Sequence, residues 1–149
     1  ALHWLGSTET ASPSVLRRLG EFTGFVPGGG EQTLVKRVIG VGGDRVTCAN
    51  ATGKVSVNGV EIDEPYVPDG QVPCGERTFD IVVPEGHLWV MGDNRSNSAD
   101  SRYHMGAGQS PFVPVSSVVG TVQAVIWPSA RWTTDIAHHE VFAAVPAAS

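Results

Sequence analysis

The chain has 149 residues, 41% of them apolar and 17% charged, which suits one sizeable hydrophobic core and excludes a disordered or fibrous protein. A net charge of −5, with eight Arg and two Lys scattered along the sequence, speaks against a nucleic-acid partner. No apolar run approaches the roughly 18–20 residues that cross a membrane and no signal-peptide pattern opens the sequence, so it reads as soluble as given; Ala1 is not a natural start, and a piece of a longer protein is expected.

In chain order, residues 1–30 stand apart as a variable N-terminal segment. Ser12-Pro13-Ser14 starts a short predicted helix with Val15, Leu16, Leu19 and Phe22 on one face, and Pro27-Gly28-Gly29-Gly30 breaks the chain. Trp4, Leu5, Phe22 and Phe25 are expected to pack on the core, the alternative being contact with a membrane surface. From Thr33 onward the pattern is β. Thr33–Ile39 reads as a strand ended by Gly40 and the Gly42-Gly43-Asp44 turn. Val55–Ile62 alternates around Asn58-Gly59, a strong hairpin signal. A Pro-rich connection from Pro65 to Pro73 leads to predicted strands at Thr78–Val83 and His87–Met91. Ser116–Trp127 is predicted as the last long strand, stopped by Pro128, and the tail from Thr133 is expected to fray. The fold class is mostly β.

Cys48 and Cys74 are too far apart for a Cys-x-x-Cys motif, and no His sits at ligand spacing from either. Two readings stand: a disulfide, which is preferred, or two unrelated buried thiols. A disulfide would place the protein outside the reducing cytoplasm.

Lys36 breaks the apolar pattern of its strand. On a strand it shares a face with Leu34 and Val38. If that face is the core, the charged ammonium is disfavoured, and a neutral amine serves as a general base or a nucleophile. The bland alternative is an exposed or edge lysine.

The densest polar segment is Gly92-Asp93-Asn94-Arg95-Ser96-Asn97-Ser98-Ala99-Asp100-Ser101-Arg102. These eleven residues hold two carboxylates, two guanidinium groups, two amides and three hydroxyls. So many matched donors and acceptors point to a network that holds a reactive group in place. An EF-hand calcium loop counted from Asp93 fails, because its third, sixth and twelfth positions are Arg95, Ser98 and His104. No phosphate-binding glycine motif and no Gly-x-Ser-x-Gly elbow occurs, and His138-His139 lack a companion metal ligand. No metal and no cofactor is expected.

Leu34-Val35-Lys36-Arg37-Val38-Ile39-Gly40, then Gly43-Asp44, then Val90-Met91 with the polar run, resembles the type I signal peptidase family, bacterial leader peptidases that use a Ser/Lys dyad. The resemblance covers about Leu34 to Trp132. The Cys48…Cys74 spacing and Trp127-Pro128-Ser129-Ala130-Arg131-Trp132 are most similar to actinobacterial members. It implies an antiparallel catalytic β core, residues 31–44 and 86–132, with a smaller β subdomain, residues 45–85, inserted between the two motifs and a flexible tail, residues 133–149.

The same resemblance implies roles for single residues. Lys36 would be the general base, and Ser98 would orient its amine. Arg37, Asp93, Asn94 and Arg95 would form the scaffold behind the site, with Asp100 and Arg102 as a second ion pair. Thr33, Leu34 and Val35 would take an extended substrate with small side chains, the Ala-x-Ala end of a signal peptide. The implied partners are signal peptides of exported preproteins and a membrane surface, on the extracytoplasmic side of the bacterial plasma membrane. The family's nucleophile is a serine in a Ser-Met-x-Pro-Thr-like motif upstream of the lysine. No such motif is present: the only methionines are Met91 and Met105. The expectation is therefore a chain that holds the base, lacks the nucleophile and cleaves nothing alone, with the serine and the membrane anchor before Ala1. The alternative function is a non-catalytic peptide-binding or scaffold domain of the same fold.

Overall fold

The computed structural model describes residues 33–48, 52–106, 108 and 110–148. The helix expected over Ser12–Phe22 and the apolar residues Trp4, Leu5 and Phe25 lie outside the described residues. The chain divides into two compact units, Ala1–Val35 and Lys36–Ser149. Of the first, only Thr33, Leu34 and Val35 are described, and all three are exposed.

The second unit is built from short antiparallel strands in two sheets. The first sheet has the order β1 (Arg37–Val41), β6 (His87–Met91), β7 (Val113–Pro114). The second has the order β4 (Val60–Glu61), β3 (Val55–Val57), β2 (Arg45–Cys48), β5 (Phe79–Val82). Asn58-Gly59 makes the β3–β4 turn with positive φ at both residues, 50° and 83°, as a two-residue turn of this kind demands. Alternation does the rest in the second sheet: Val46, Cys48, Val55 and Val57 point inward while Arg45 and Thr47 do not.

One core joins the sheets. Trp89 is completely buried, with the rings of Phe79 and Phe112 centred 5.0 and 5.9 Å away, and Ile39, Val46, Val57, Ile62, Val83 and Met91 fill the space around it. Each such aliphatic side chain contributes on the order of 1.5–3 kcal/mol by leaving water. A Cys48–Cys74 disulfide closes the loop that leaves the second sheet.

Three sequence expectations are corrected. The first strand runs over Arg37–Val41, so Thr33–Lys36 are not in a strand. Its pairing starts at Arg37 opposite Met91, and an extra residue between Val38 and Gly40 shifts the register, which turns Ile39 inward and leaves Val38 exposed. Val38, expected to share an inward face with Lys36, is exposed.

The long strand expected over Ser116–Trp127 does not form. Pairing with β6 ends at Pro114, opposite His87, the first residue of β6; the Val115 amide still donates to the Gly86 carbonyl at 2.9 Å, and Val115–Ser117 then turns into a 3-10 helix. Beyond it, among the described residues, one bridge joins Val125 to Thr133, and Val118, Val119, Val122, Ile126 and Trp127 stay exposed.

The tail expected to fray makes specific contacts. His139–Phe142 forms a 3-10 helix, Phe142 and Val145 pack on the core, and the Pro146 carbonyl accepts from Asn58 Nδ2 at 2.9 Å.

Candidate active site

The end of β6 delivers the chain to Gly92, and the polar run then folds back on itself. Asp100 receives the Gly92 amide at 2.9 Å, and Ser101 Oγ receives the Val90 amide at 3.0 Å, so the far end of the loop is tied back to the start of the loop and to the strand it leaves. Arg95 Nε donates to the Gly92 carbonyl at 3.0 Å. Arg102 clamps Asp100 through Nε at 2.9 Å and Nη2 at 2.7 Å, and it also reaches the Arg95 and Cys74 carbonyls at 3.1 and 3.3 Å. Asn94, on the exposed side, accepts from Gln71 Nε2 at 2.9 Å, and Gln71 Oε1 accepts the Ser96 amide at 3.1 Å. A loop with its polar groups matched in this way has one geometry.

That geometry presents Ser98 to Lys36. Lys36 Nζ donates to Ser98 Oγ at 2.7 Å. Ser98 is buried, whereas Lys36 is half-buried. The glycine at position 92 makes the approach possible: a Cβ there would overlap Ser98 Oγ and lie 3.7 Å from Lys36 Nζ. Burial alone would push the Asp100 carboxyl up, but the Arg102 guanidinium, the Gly92 amide and Ser98 together hold it below the usual carboxylate range.

Arg37, next in sequence to Lys36, makes a two-point ion pair with Asp93 at 2.8 and 3.0 Å. Its Nη1 also donates to the carbonyls of Ile136 and Ala137 at 2.8 and 3.2 Å.

Arg95 does not join Asp93. It pairs instead with Glu64, Nη2 to Oε1 at 2.5 Å and Nη1 to Oε2 at 2.9 Å, with both side chains fully buried, and Nη1 also reaches the Pro73 carbonyl. Tyr66 donates its hydroxyl to Glu64 Oε1 at 2.8 Å and sets its ring under Arg37, 3.7 Å from the guanidinium carbon. Burial and the adjacent Glu64 charge hold the Tyr66 phenol well above its ordinary titration range, so it stays a donor.

The structure thus brings together Lys36, Arg37, Asp93, Arg95, Ser98, Asp100 and Arg102, with Asn94 at the rim. Tyr66 escaped the sequence reading because it lies in what looked like a Pro-rich connection, Pro65 to Pro73, and Glu64 because it sits at that connection's edge. Their one local signal was an acidic residue and an aromatic flanking Pro65 just after the hairpin.

A family model described as signal peptidase, peptidase S26, matches residues 17–127. The chain belongs to this signal peptidase family. It is 45% identical over 131 residues to a protein named probable signal peptidase I from Mycobacterium leprae, covering 74% of this chain and 45% of that relative. It is 44% identical over 124 residues to signal peptidase I of Mycobacterium tuberculosis H37Rv, covering 74% and 42% of the two chains. A solved signal peptidase I from Enterococcus faecalis is similar at 29% identity and a TM-score of 0.48, over 61% of this chain and 83% of that one. The chain spans less than half the length of the mycobacterial signal peptidases it matches. Among the described residues, no helix is long and apolar enough to cross a membrane.

Proposed function

We propose that this chain carries the base, and not the nucleophile, of a Ser/Lys dyad that removes signal peptides from exported preproteins after an Ala-x-Ala-like site. The observation that carries the reading is the 2.7 Å contact between Lys36 Nζ, just before the first strand, and Ser98 Oγ of the polar run. A general base must be aimed and must present a free lone pair. A neutral amine that spends one N–H on Ser98 keeps its lone pair for the proton of an attacking hydroxyl, which is a poor nucleophile until that proton is taken. Ser98 suits the role of holder. It is buried and its oxygen is engaged by Lys36.

Leu34 and Val35, exposed and immediately before Lys36 in the chain, and Thr33 beside them are the proposed contacts for an extended substrate that lays its backbone along this segment. Arg37, Asp93, Asn94, Arg95, Asp100 and Arg102 are the proposed support of the site. The reading places the whole protein at the extracytoplasmic face of the bacterial plasma membrane, and family membership together with the disulfide supports it.

The test has two arms, each read by mass spectrometry on a peptide ending its signal in Ala-x-Ala. The chain alone is expected to leave the peptide intact. A chimera in which this chain replaces the matched part of a mycobacterial relative is expected to cut it after the second Ala. Cutting by the chain alone that is lost in Lys36→Ala would overturn the division of base from nucleophile. An inert, folded chimera would overturn the peptidase reading and leave the scaffold alternative.

A further inference from the structure

Glu64 and Tyr66 stand outside every role assigned so far, yet they touch both halves of the site. They leave one tight turn, closed by the Val67 amide donating to the Glu64 carbonyl at 3.0 Å, with Pro65 between them. The ring of a proline fixes φ near −65°, so a Glu-Pro-Tyr turn projects its two side chains with little freedom. From that turn Glu64 takes Arg95 through two N–H groups, and Tyr66 takes the face of Arg37. The Tyr66 hydroxyl closes the bracket by donating to Glu64 Oε1. Arg37 follows Lys36 directly, and Arg95 lies three residues before Ser98, with its Nε fixing the Gly92 carbonyl at the mouth of the loop.

The geometry points to Glu64 and Tyr66 as positioning residues that set the Lys36–Ser98 contact from behind, one through each arginine. The inference rests on the reading of Lys36 and Ser98 as base and holder. A fully buried carboxylate–guanidinium pair costs much desolvation and is weak evidence of stabilisation, whereas a fixed orientation is a use for which such pairs suit. The surroundings agree. Asp93 already neutralises Arg37, so the Tyr66 ring contributes direction more than charge. The residues on the other side of Arg95, Pro73 and Gly92, offer only backbone carbonyls, so Glu64 alone supplies the anion that sets the plane of the guanidinium.

The test reads the Lys36 amine directly. Competitive acylation with trace acetic anhydride, against a model amine in the same tube, is followed on the Lys36 peptide by mass spectrometry in the unaltered chain and in Ser98→Ala, Glu64→Gln and Tyr66→Phe. All variants are held at a temperature where circular dichroism shows them folded, so loss of stability alone leaves the ratio unmoved. Ser98→Ala is expected to raise Lys36 labelling about fivefold, the equivalent of one net hydrogen bond. Glu64→Gln and Tyr66→Phe are each expected to reproduce at least half of that rise. If Glu64→Gln does not fold, Tyr66→Phe, which removes one hydroxyl and keeps the ring under Arg37, decides the matter. A rise in Ser98→Ala with none in the folded Glu64 and Tyr66 variants would overturn the positioning role alone. No rise in Ser98→Ala would overturn the holder reading and the inference with it.

Discussion

Lys36 Nζ and Ser98 Oγ meet at 2.7 Å across a sequence separation of 62 residues. The meeting is prepared from both directions. On one side β1 carries Lys36 at its threshold, where pairing with β6 begins at Arg37 and Met91. On the other, the same strand β6 runs out into Gly92 and the loop that bears Ser98. The two groups are neighbours because two antiparallel strands end side by side.

Gly92 makes the close approach possible, and a single methyl group there tests it. Gly92→Ala places a Cβ inside the Ser98 side chain, with the Lys36 amine 3.7 Å away. Overpacking of this kind costs about 1–3 kcal/mol. The expected result is a melting temperature lower by several degrees in calorimetry, together with a more readily acylated Lys36. An unchanged melting temperature and labelling ratio would show that the loop sits elsewhere.

The Arg95–Glu64 pair carries a different signature. Arg95→Met leaves the Glu64 carboxylate buried without its cation, and breaking a buried pair in this way costs about 3–5 kcal/mol. Replacing both residues by Met removes the stranded charge, so the double variant is expected to be more stable than Arg95→Met alone. Urea unfolding of the two single variants and the double variant closes the cycle. A double variant no better than Arg95→Met would contradict the pairing.

Acid stability follows from Asp100. Its folded carboxyl is held below the unfolded value of 3.8, so the folded state binds the proton less readily than the unfolded state. The stabilisation is fully present above that unfolded value and is lost as pH falls below it through the folded one. The urea midpoint is therefore expected to fall from pH 5 toward pH 2, with a shallower fall in Asp100→Asn. Parallel curves for the two proteins would contradict the assignment.

The disulfide is expected to matter beyond its own loop. Closing a separation of 26 residues stabilises the fold by about 3.5 kcal/mol in the chain-entropy model. Pro73 and Cys74, at that link, lend their carbonyls to Arg95 and Arg102. Reduction is thus expected to lower stability and also to speed amide exchange in residues 92–102, measured by hydrogen–deuterium exchange. Faster exchange confined to residues near 48 and 74 would show that the arginines hold without those carbonyls.

What the sequence made legible was local. Asn58-Gly59 announces its turn because only certain residues accept positive φ at both positions, and Val46, Cys48, Val55 and Val57 announce their face by alternation. The polar run was legible as a network because some of its donors and acceptors match within eleven residues, as the Asp100–Arg102 and Arg95–Gly92 contacts show, while Asp93, Arg95 and Ser98 find Arg37, Glu64 and Lys36 outside it. Glu64 was not, since its partner lies 31 residues away and neither residue carries a local mark of burial. The segment from Ser116 to Trp127 misled in the opposite sense. Its valines have strand propensity, but a strand needs a backbone to pair with, and among the described residues from Ser116 to Trp127 the one bridge is Val125 to Thr133.

For the proposed role of Lys36 as proton acceptor, the most direct measurement is the rate of Ala-x-Ala peptide cleavage by the chimera with Lys36 replaced. Lys36→Ala and Lys36→Arg are both expected to lower kcat/KM at least about a hundredfold, the size of a lost general base, while Lys54→Ala leaves it unchanged. A Lys36→Ala chimera that still cleaves within a few-fold of the unaltered one would contradict the account.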